Sequence, residues 1–227
     1  MPLRIAIDGP AGVGKSTLAA RLATAFGLPK LDTGAIYRTL ALAAERAGVS
    51  WDDGPALAEL AAHLPIRFAG GTGRAGTTVL LGNEDVSAAI RTPEMSRGSS
   101  LVSRHAPVRA ALLPLQRALA AGGAVAEGRD IGTVVLPDAE VKIFLVASPR
   151  ERARRRRLEL REKGLERALE DVLAEQDARD ERDSTREASP LRAAADAITI
   201  DTDGLTLEEV VQRVLALVAE RTGLRPR

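Results

Sequence analysis

Eight consecutive residues constrain this chain more than any others. Gly9-Pro10-Ala11-Gly12-Val13-Gly14-Lys15-Ser16 fits G-x-x-x-x-G-K-[ST] at every position. Before it, Leu3 to Asp8 reads as a short buried strand. After it, Leu18, Leu22 and Phe26 recur at helical spacing until Gly27 and Pro29 end the helix. Strand, glycine loop and helix in that order open an α/β domain and supply the context this motif requires. The residue types follow from the chemistry of phosphate. Glycines let the backbone curl so that successive N–H groups point inward, and the helix adds its positive N-terminal end. Lys15 can reach the β- and γ-phosphates of a nucleotide, and Ser16 can ligate Mg²⁺. Gly9, Pro10, Ala11, Gly12, Val13, Gly14, Lys15, Ser16 and Thr17 are therefore the candidate contacts to a nucleoside triphosphate.

A phosphate loop alone does not name a reaction, because switches, motors and small kinases all carry one. Asp201-Thr202-Asp203-Gly204 has the spacing of a GTPase switch but falls near the C-terminus. At 227 residues the chain is short for a motor, which leaves a small kinase as the simplest reading. Composition narrows the partners. The 32 basic and 31 acidic residues give a net charge of +1, without a general pull toward nucleic acid or anionic membrane. Three Phe, one Trp and one Tyr supply few platforms for base stacking. Without cysteine there is no disulfide scaffold, thiolate metal site or cysteine nucleophile. No basic-then-apolar leader and no apolar run near the ~18 residues of a membrane span stand out. The expectation is a cytoplasmic protein that acts as a monomer, with no nucleic acid and no membrane among its partners.

Along the chain, Gly34 to Ala47 and Pro55 to His63 read as helices. Ile66-Arg67-Phe68, Thr77 to Leu81 and Glu84 to Val86 are strand-like pieces separated by Gly70-Gly71-Thr72-Gly73 and Gly82-Asn83. Glycine clusters between short apolar runs indicate hairpins. A small antiparallel insertion is expected at 64–91. Helical spacing resumes over Pro93 to Ser103 and Pro107 to Ala121. Ala124-Val125-Ala126 and the apolar Val141 to Val146 are candidate central strands of a parallel sheet. Pro149 to Lys163 and Glu166 to Asp183 are charged helices, and Ile198-Thr199-Ile200 is a last strand. Thr206 to Glu209 forms a capping box for a final helix with Val210, Val211, Val214, Leu215 and Val218 on one face. The sum is one α/β domain over 1–227, a three-layer α/β/α core with a central parallel sheet.

Two further stretches suit an anionic acceptor. Leu31-Asp32-Thr33-Gly34-Ala35-Ile36-Tyr37-Arg38 puts a hydroxyl, a phenol and a guanidinium at a helix N-terminus. Gly128-Arg129-Asp130 follows a candidate central strand, and ligands of open α/β sheets sit beyond the carboxyl ends of strands. An ordinary surface ion pair competes as a reading of either arginine taken alone.

These stretches resemble the bacterial cytidylate kinases, members of the nucleoside monophosphate kinase group. The likeness extends through Glu84-Asp85-Val86-Ser87, Ile90-Arg91-Thr92, Gly128-Arg129-Asp130-Ile131-Gly132-Thr133-Val134-Val135, Val141-Lys142-Ile143-Phe144-Leu145 and Arg179-Asp180-Glu181-Arg182-Asp183. It implies ATP as phosphate donor, Mg²⁺ as cofactor, and CMP or dCMP as acceptor. It implies that Thr33, Arg38, Arg129 and Arg186 hold the acceptor phosphate, that Ser100, Arg109 and Asp130 recognise cytosine, and that Arg179 and Asp183 bind ribose beside Tyr37. It also implies that the 64–91 insertion is a monophosphate-binding subdomain. Thr33 stands where the family often has Ser, and Pro107 where it often has charge. The chemistry is consistent: a carboxylate such as Asp130 accepts from the cytosine N4 amino group and repels the carbonyl of uracil, while Arg109 donates to O2 or N3.

Arg150, Arg152, Arg154, Arg155, Arg156 and Arg157 crowd one segment. A nucleic-acid patch, a lid over the triphosphate and a solvated face of i,i+4 pairs with the following acids all fit. Phosphoryl transfer spreads negative charge that arginines can stabilise, and closure keeps water out. The family resemblance implies a lid and adjoining helix at 149–186, with Arg152 and Arg156 as its catalytic pair beside Lys15, Arg129 and Arg186.

Overall fold

The computed structural model describes residues 2–69, 78–162 and 164–226. Its first half contains β1 (Arg4–Asp8), α1 (Lys15–Phe26), β2 (Lys30–Asp32), α2 (Thr33–Arg46), α3 (Gly54–Ala62), β3 (Ile66–Ala69), β4 (Thr78–Leu81), β5 (Glu84–Asp85) and α4 (Pro93–Val102). The second half contains α5 (Ala106–Ala120), β6 (Ala124–Gly128), β7 (Val141–Val146), α6 (Pro149–Glu162), α7 (Leu169–Thr185), β8 (Ile198–Asp201) and α8 (Leu207–Thr222). Five strands pair in the order β2-β6-β1-β7-β8, all parallel. β3, β4 and β5 form a separate antiparallel sheet. The expected glycine turn at Gly70-Gly71-Thr72-Gly73 and the first residue of the expected strand, Thr77, lie outside the described residues.

Side-chain alternation along the central strands divides the apolar core in two. Ile5, Ile7 and Val125 face α1 and α8, where Leu18, Leu22, Val211 and Val214 cover them. Ala6, Ala124 and Ala126 point the other way, and their small size lets the backbone of α2 and its neighbours approach closely. Ile66, Val79, Val86 and Ile90 join this second core, so the small sheet is continuous with the α2 side of the molecule. α6 and α7 pair as a hairpin with its own limited core of Ala153, Leu160 and Val172. At ~1.5–3 kcal/mol for each buried aliphatic side chain, this is the weakest apolar cluster of the three.

Pairing aligns the carboxyl ends of the strands. Asp8 stands opposite Gly128 and Phe144, and Asp32 opposite Glu127. Beyond β6 the chain makes one wide helical turn over Ile131–Val135. Its first amides, Ile131 N and Gly132 N, donate to the Asp8 carboxylate at 2.8 and 2.7 Å. That bidentate contact ties the loop after β6 to the last residue of β1. Two local features were not in the sequence expectation. The three-residue edge strand β2, for which the sequence offered no reading, lies between Pro29 and the helix that Asp32 caps by accepting from Ala35 N at 2.9 Å. The charged helix expected from Glu166 begins at Leu169, where a buried face against α6 becomes available.

Candidate active site

The phosphate loop leaves β1 at Gly9, whose φ of 144° is left-handed and whose absent Cβ would lie 2.3 Å from Leu145 O on β7. No side chain fits there, so the first glycine serves close packing as well as curvature. Gly14, at φ 91°, caps α1, which starts at Lys15. The loop forms one wall of a cavity of ≈ 280 Å³, with Arg38, Glu127, Arg156, Gln176 and Arg179 on the others. Ala11, Gly12, Gly14, Lys15, Ser16 and Thr17 line it, whereas Val13 is buried in the core below.

Lys15 is turned back onto its own loop, donating to Gly9 O at 2.8 Å and Pro10 O at 2.6 Å. Arg129 Nη1 donates to the same Gly9 carbonyl at 3.1 Å. Burial, reinforced by the Arg129 cation, pushes the Lys15 pKa well below the usual lysine value. An arriving phosphate would offset both through its opposite charge, which favours the ammonium form. Ser16 Oγ accepts from Lys30 Nζ at 2.5 Å, and the same ammonium lies 3.0 Å from Glu127 Oε1. Glu127 is buried at the end of β6, and its Oε1 has no partner with hydrogen-bond geometry among the described residues.

A second, smaller cavity of ≈ 50 Å³ adjoins the first, and Arg179 lines both. Thr33, Tyr37, Arg109, Arg129, Asp130, Asp183 and Arg186 line this one. Thr33 Oγ1 donates to Glu127 O at 2.8 Å. Arg38 faces the larger cavity and pairs with Asp32 at 2.8 Å. Asp183 on α7 is a hub: Arg129 Nε is 2.8 Å away, Arg186 Nη1 3.8 Å and Arg179 Nε 3.9 Å. Burial opposes ionisation of Asp183, but the Arg129 and Arg179 cations hold its pKa below the usual carboxylate value. Burial and Arg129 together push the Arg179 pKa down to about 10. Three guanidinium groups around one carboxylate leave a surplus of positive charge. Arg179 Nε and Arg186 Nη2 also lack hydrogen-bond partners among the described residues.

At the far end, buried Arg109 pairs with buried Asp130 and donates to Ser103 O at 3.3 Å. The Arg109 guanidinium carbon lies 5.4 Å from the centre of the Tyr37 ring, in cation–π range. The pair uses Oδ2 of Asp130, and Oδ1 makes no hydrogen bond among the described residues. Ser100 is buried, with Oγ receiving Arg182 Nε at 3.3 Å, while Ser99 and Ser103 line the cavity.

In α6, Arg154 and Arg155 both pair with Glu151, and Arg156 pairs with Glu159 at 3.1 Å while still lining the larger cavity. Arg152 does not line it. Its guanidinium is buried against Asp180 of α7 and donates to Ala147 O and Ala11 O at 3.2 Å each. Arg152 thus fastens the helical hairpin to the phosphate loop.

Sequence reasoning missed Lys30, Glu127 and Gln176. Glu127 immediately precedes Gly128-Arg129-Asp130, so its place at a strand end was readable. Lys30 is one of only four lysines, but nothing local links it to Ser16. Gln176 lies in a charged helix whose buried face emerges only from packing.

Comparison with known proteins agrees with this geometry. The family model for cytidylate kinase matches residues 5–220. The cytidylate kinase of Syntrophotalea carbinolica is 54% identical over 220 residues, 96% of this chain and 93% of the relative. That of Geobacter sulfurreducens is 51% identical over 225 residues, 99% and 96% of the two chains. A crystal structure of an uncharacterized protein from Eubacterium ventriosum superposes with a TM-score of 0.52 at 13% identity, covering 97% of this chain and all of that one, a likeness of fold alone. A family match over nearly the whole length, with about half of all residues shared with curated relatives, settles the assignment: the chain belongs to the cytidylate kinase family.

Proposed function

We propose that this chain transfers the γ-phosphate of ATP to CMP or dCMP, giving ADP and the corresponding diphosphate. The observation that carries the reading is the pair of adjoining cavities with Arg179 on their common wall. One is built on the phosphate loop and the other ends on a buried guanidinium–carboxylate pair. Two anions brought together there face Lys15, Arg38, Arg129, Arg179 and Arg186. Lys15 leaves the Gly9 and Pro10 carbonyls for the donor's β- and γ-phosphates. Thr33, Arg38, Arg129 and Arg186 hold the acceptor phosphate, whose oxygen attacks the γ-phosphorus in line while ADP departs. The guanidinium groups stabilise charge that is greatest in the transition state, which is where catalysis gains most. Asp183 and Arg179 take the ribose. Asp130 accepts from cytosine N4 and Arg109 donates to O2 or N3, with Ser100 and Tyr37 completing the base pocket.

The residues at the cation side fit Mg²⁺. Ser16 and Glu127 offer hard oxygen donors, Glu127 Oε1 lacks a hydrogen-bond partner among the described residues, and the Lys30 ammonium already lies within ion-pair distance of it. Bound there, Mg²⁺ would neutralise phosphate charge. Its remaining ligands would be phosphate oxygens and water, in keeping with the absence of a cluster of three or more metal-binding side chains among the described residues. The 64–91 segment acts as the monophosphate-binding subdomain, a role supported by its shared core with α2. Residues 149–186 act as the lid. All of these groups come from one chain, so the reading needs no second subunit, and its substrates belong to the cytoplasmic nucleotide pool. No described helix is long and apolar enough to cross a membrane.

A coupled ADP-release assay with ATP and Mg²⁺ across CMP, dCMP, UMP and AMP tests the proposal. CMP and dCMP should support the fastest turnover. Turnover with no pyrimidine monophosphate, or with UMP as readily as CMP, would contradict it.

A further inference from the structure

Lys30 has no part in the reaction as described, yet its ammonium contacts two residues that line the larger cavity, Ser16 and Glu127. It donates to Ser16 Oγ at 2.5 Å and lies 3.0 Å from Glu127 Oε1. The contacts join three elements: Ser16 in the first turn of α1, Lys30 at the start of β2 and Glu127 near the end of β6. Lys30 and Glu127 are only 19% and 7% exposed, so water screens the pair weakly. Lys30 and Asp32 are two residues apart on one strand and project from the same face. The Lys30 cation contributes, after Arg38, to holding the Asp32 pKa below the usual carboxylate value against the effect of burial.

Resting on the reading of Ser16 and Glu127 as the cation side of the site, we propose that Lys30 is a positioning residue that sets the affinity for the divalent cation. Its ammonium is hydrogen-bonded to one of the two oxygens that the metal would face, Ser16 Oγ, and ion-paired with the other, Glu127 Oε1. A divalent ion ~2.1 Å from Ser16 Oγ cannot share that region with an ammonium hydrogen-bonded to the same atom. Metal binding therefore displaces Lys30 from Ser16 and works against its charge. In exchange, the ammonium keeps the hydroxyl and the buried carboxylate in place before nucleotide arrives, which lowers the ordering cost when it does. A purely mechanical role, joining α1 to the sheet edge, would predict a change in stability and none in metal affinity.

Mn²⁺ binding to the full-length protein saturated with ADP, read as loss of the free-ion electron paramagnetic resonance signal, separates these roles without any turnover. Lys30→Met should tighten Mn²⁺ binding about fivefold, the scale of one partly exposed charge–charge interaction. Lys30→Gln should do the same and serves as the neutral variant if Lys30→Met folds poorly. Lys30→Arg, which keeps the charge, should stay within about twofold of wild type. Unchanged or weaker binding in the neutral variants overturns the proposal, as does tightening in Lys30→Arg equal to that in Lys30→Met. If the wild-type protein adds nothing to the Mn²⁺ affinity of ADP alone, the metal-site reading beneath the proposal fails instead.

Discussion

Asp130, in the loop after β6, and Asp8, at the end of β1 beneath that loop, do different work with the same side chain. Asp130 shares a buried pair with Arg109, and its remaining oxygen is available to a base amino group. Replacing it leaves Arg109 without its ion-pair partner and, on the proposed reading, removes the group that rejects a carbonyl. Asp130→Ala should therefore cut the ratio of CMP to UMP turnover by about 10-fold or more, consistent with the ~1–3 kcal/mol of a buried polar mismatch. An unchanged ratio of kcat/KM values would remove Asp130 from base recognition. Asp8 binds no substrate in this scheme. Burial pushes its pKa up to about 6, against the two backbone donors that favour the ionised form. A folded-state pKa above the unfolded value means that the fold prefers the protonated acid. This contribution is present at low pH and lost as pH rises from about 4 to above 6, amounting to about 3 kcal/mol at 1.36 kcal/mol per pH unit. Asp8→Asn forfeits one of the two backbone hydrogen bonds but does not titrate. The stability gap between wild type and Asp8→Asn should thus narrow as pH rises from 4 to 7 in denaturant titrations. A gap independent of pH would show that Asp8 keeps an ordinary pKa.

At the scale of elements, the α6–α7 hairpin shows how one arginine run is divided among tasks. Arg154 and Arg155 neutralise Glu151, whose pKa falls to about 2 through hydrogen bonds from both. Arg152 is spent on Asp180 and on carbonyls of the phosphate loop, and Arg156 alone of these four lines the larger cavity. Arg156→Gln should lower kcat by about 10²-fold, the typical loss for one donor that stabilises transition-state charge, while KM for CMP stays within about threefold. An effect confined to KM would refute that role. Arg152→Ala should behave differently, lowering Tm as well as kcat, because it leaves the Asp180 carboxylate without its ion-pair partner and frees the hairpin from the loop. Comparing the two variants by calorimetry and steady-state kinetics separates anchoring from catalysis.

For the whole molecule, the two sheet-based cores hold the floor of the site, while the hairpin beside it has, among the described residues, a small core of Ala153, Leu160 and Val172 flanked by Leu169 and Leu173. Ligands that bridge the cavities should order the weaker part most. ADP and CMP together should slow amide exchange in Leu169–Thr185 far more than in Leu207–Thr222, and equal protection would argue against a lid at 149–186. Much of this layout was legible beforehand, because local chemistry dictates it. The Gly9–Ser16 loop must curl, Val141–Val146 is apolar enough to be a buried parallel strand, and Thr206 with Glu209 closes the expected capping box. The edge strand β2 was not legible, since three residues carry no period and take their conformation from pairing with β6. Nor was the division of the arginine run, because charge along a helix does not say which residue faces a cavity. The sequence alone determined the phosphate loop, the parallel sheet and the residue types of the acceptor side, each of them encoded in a short local stretch. Only the tertiary structure decided that Lys15 rests on its own loop, that Lys30 reaches Ser16 and Glu127, and that Asp183 gathers three arginines. Those contacts join residues up to 97 positions apart in the chain, and a distance of that kind is set by how strands align, not by any local pattern.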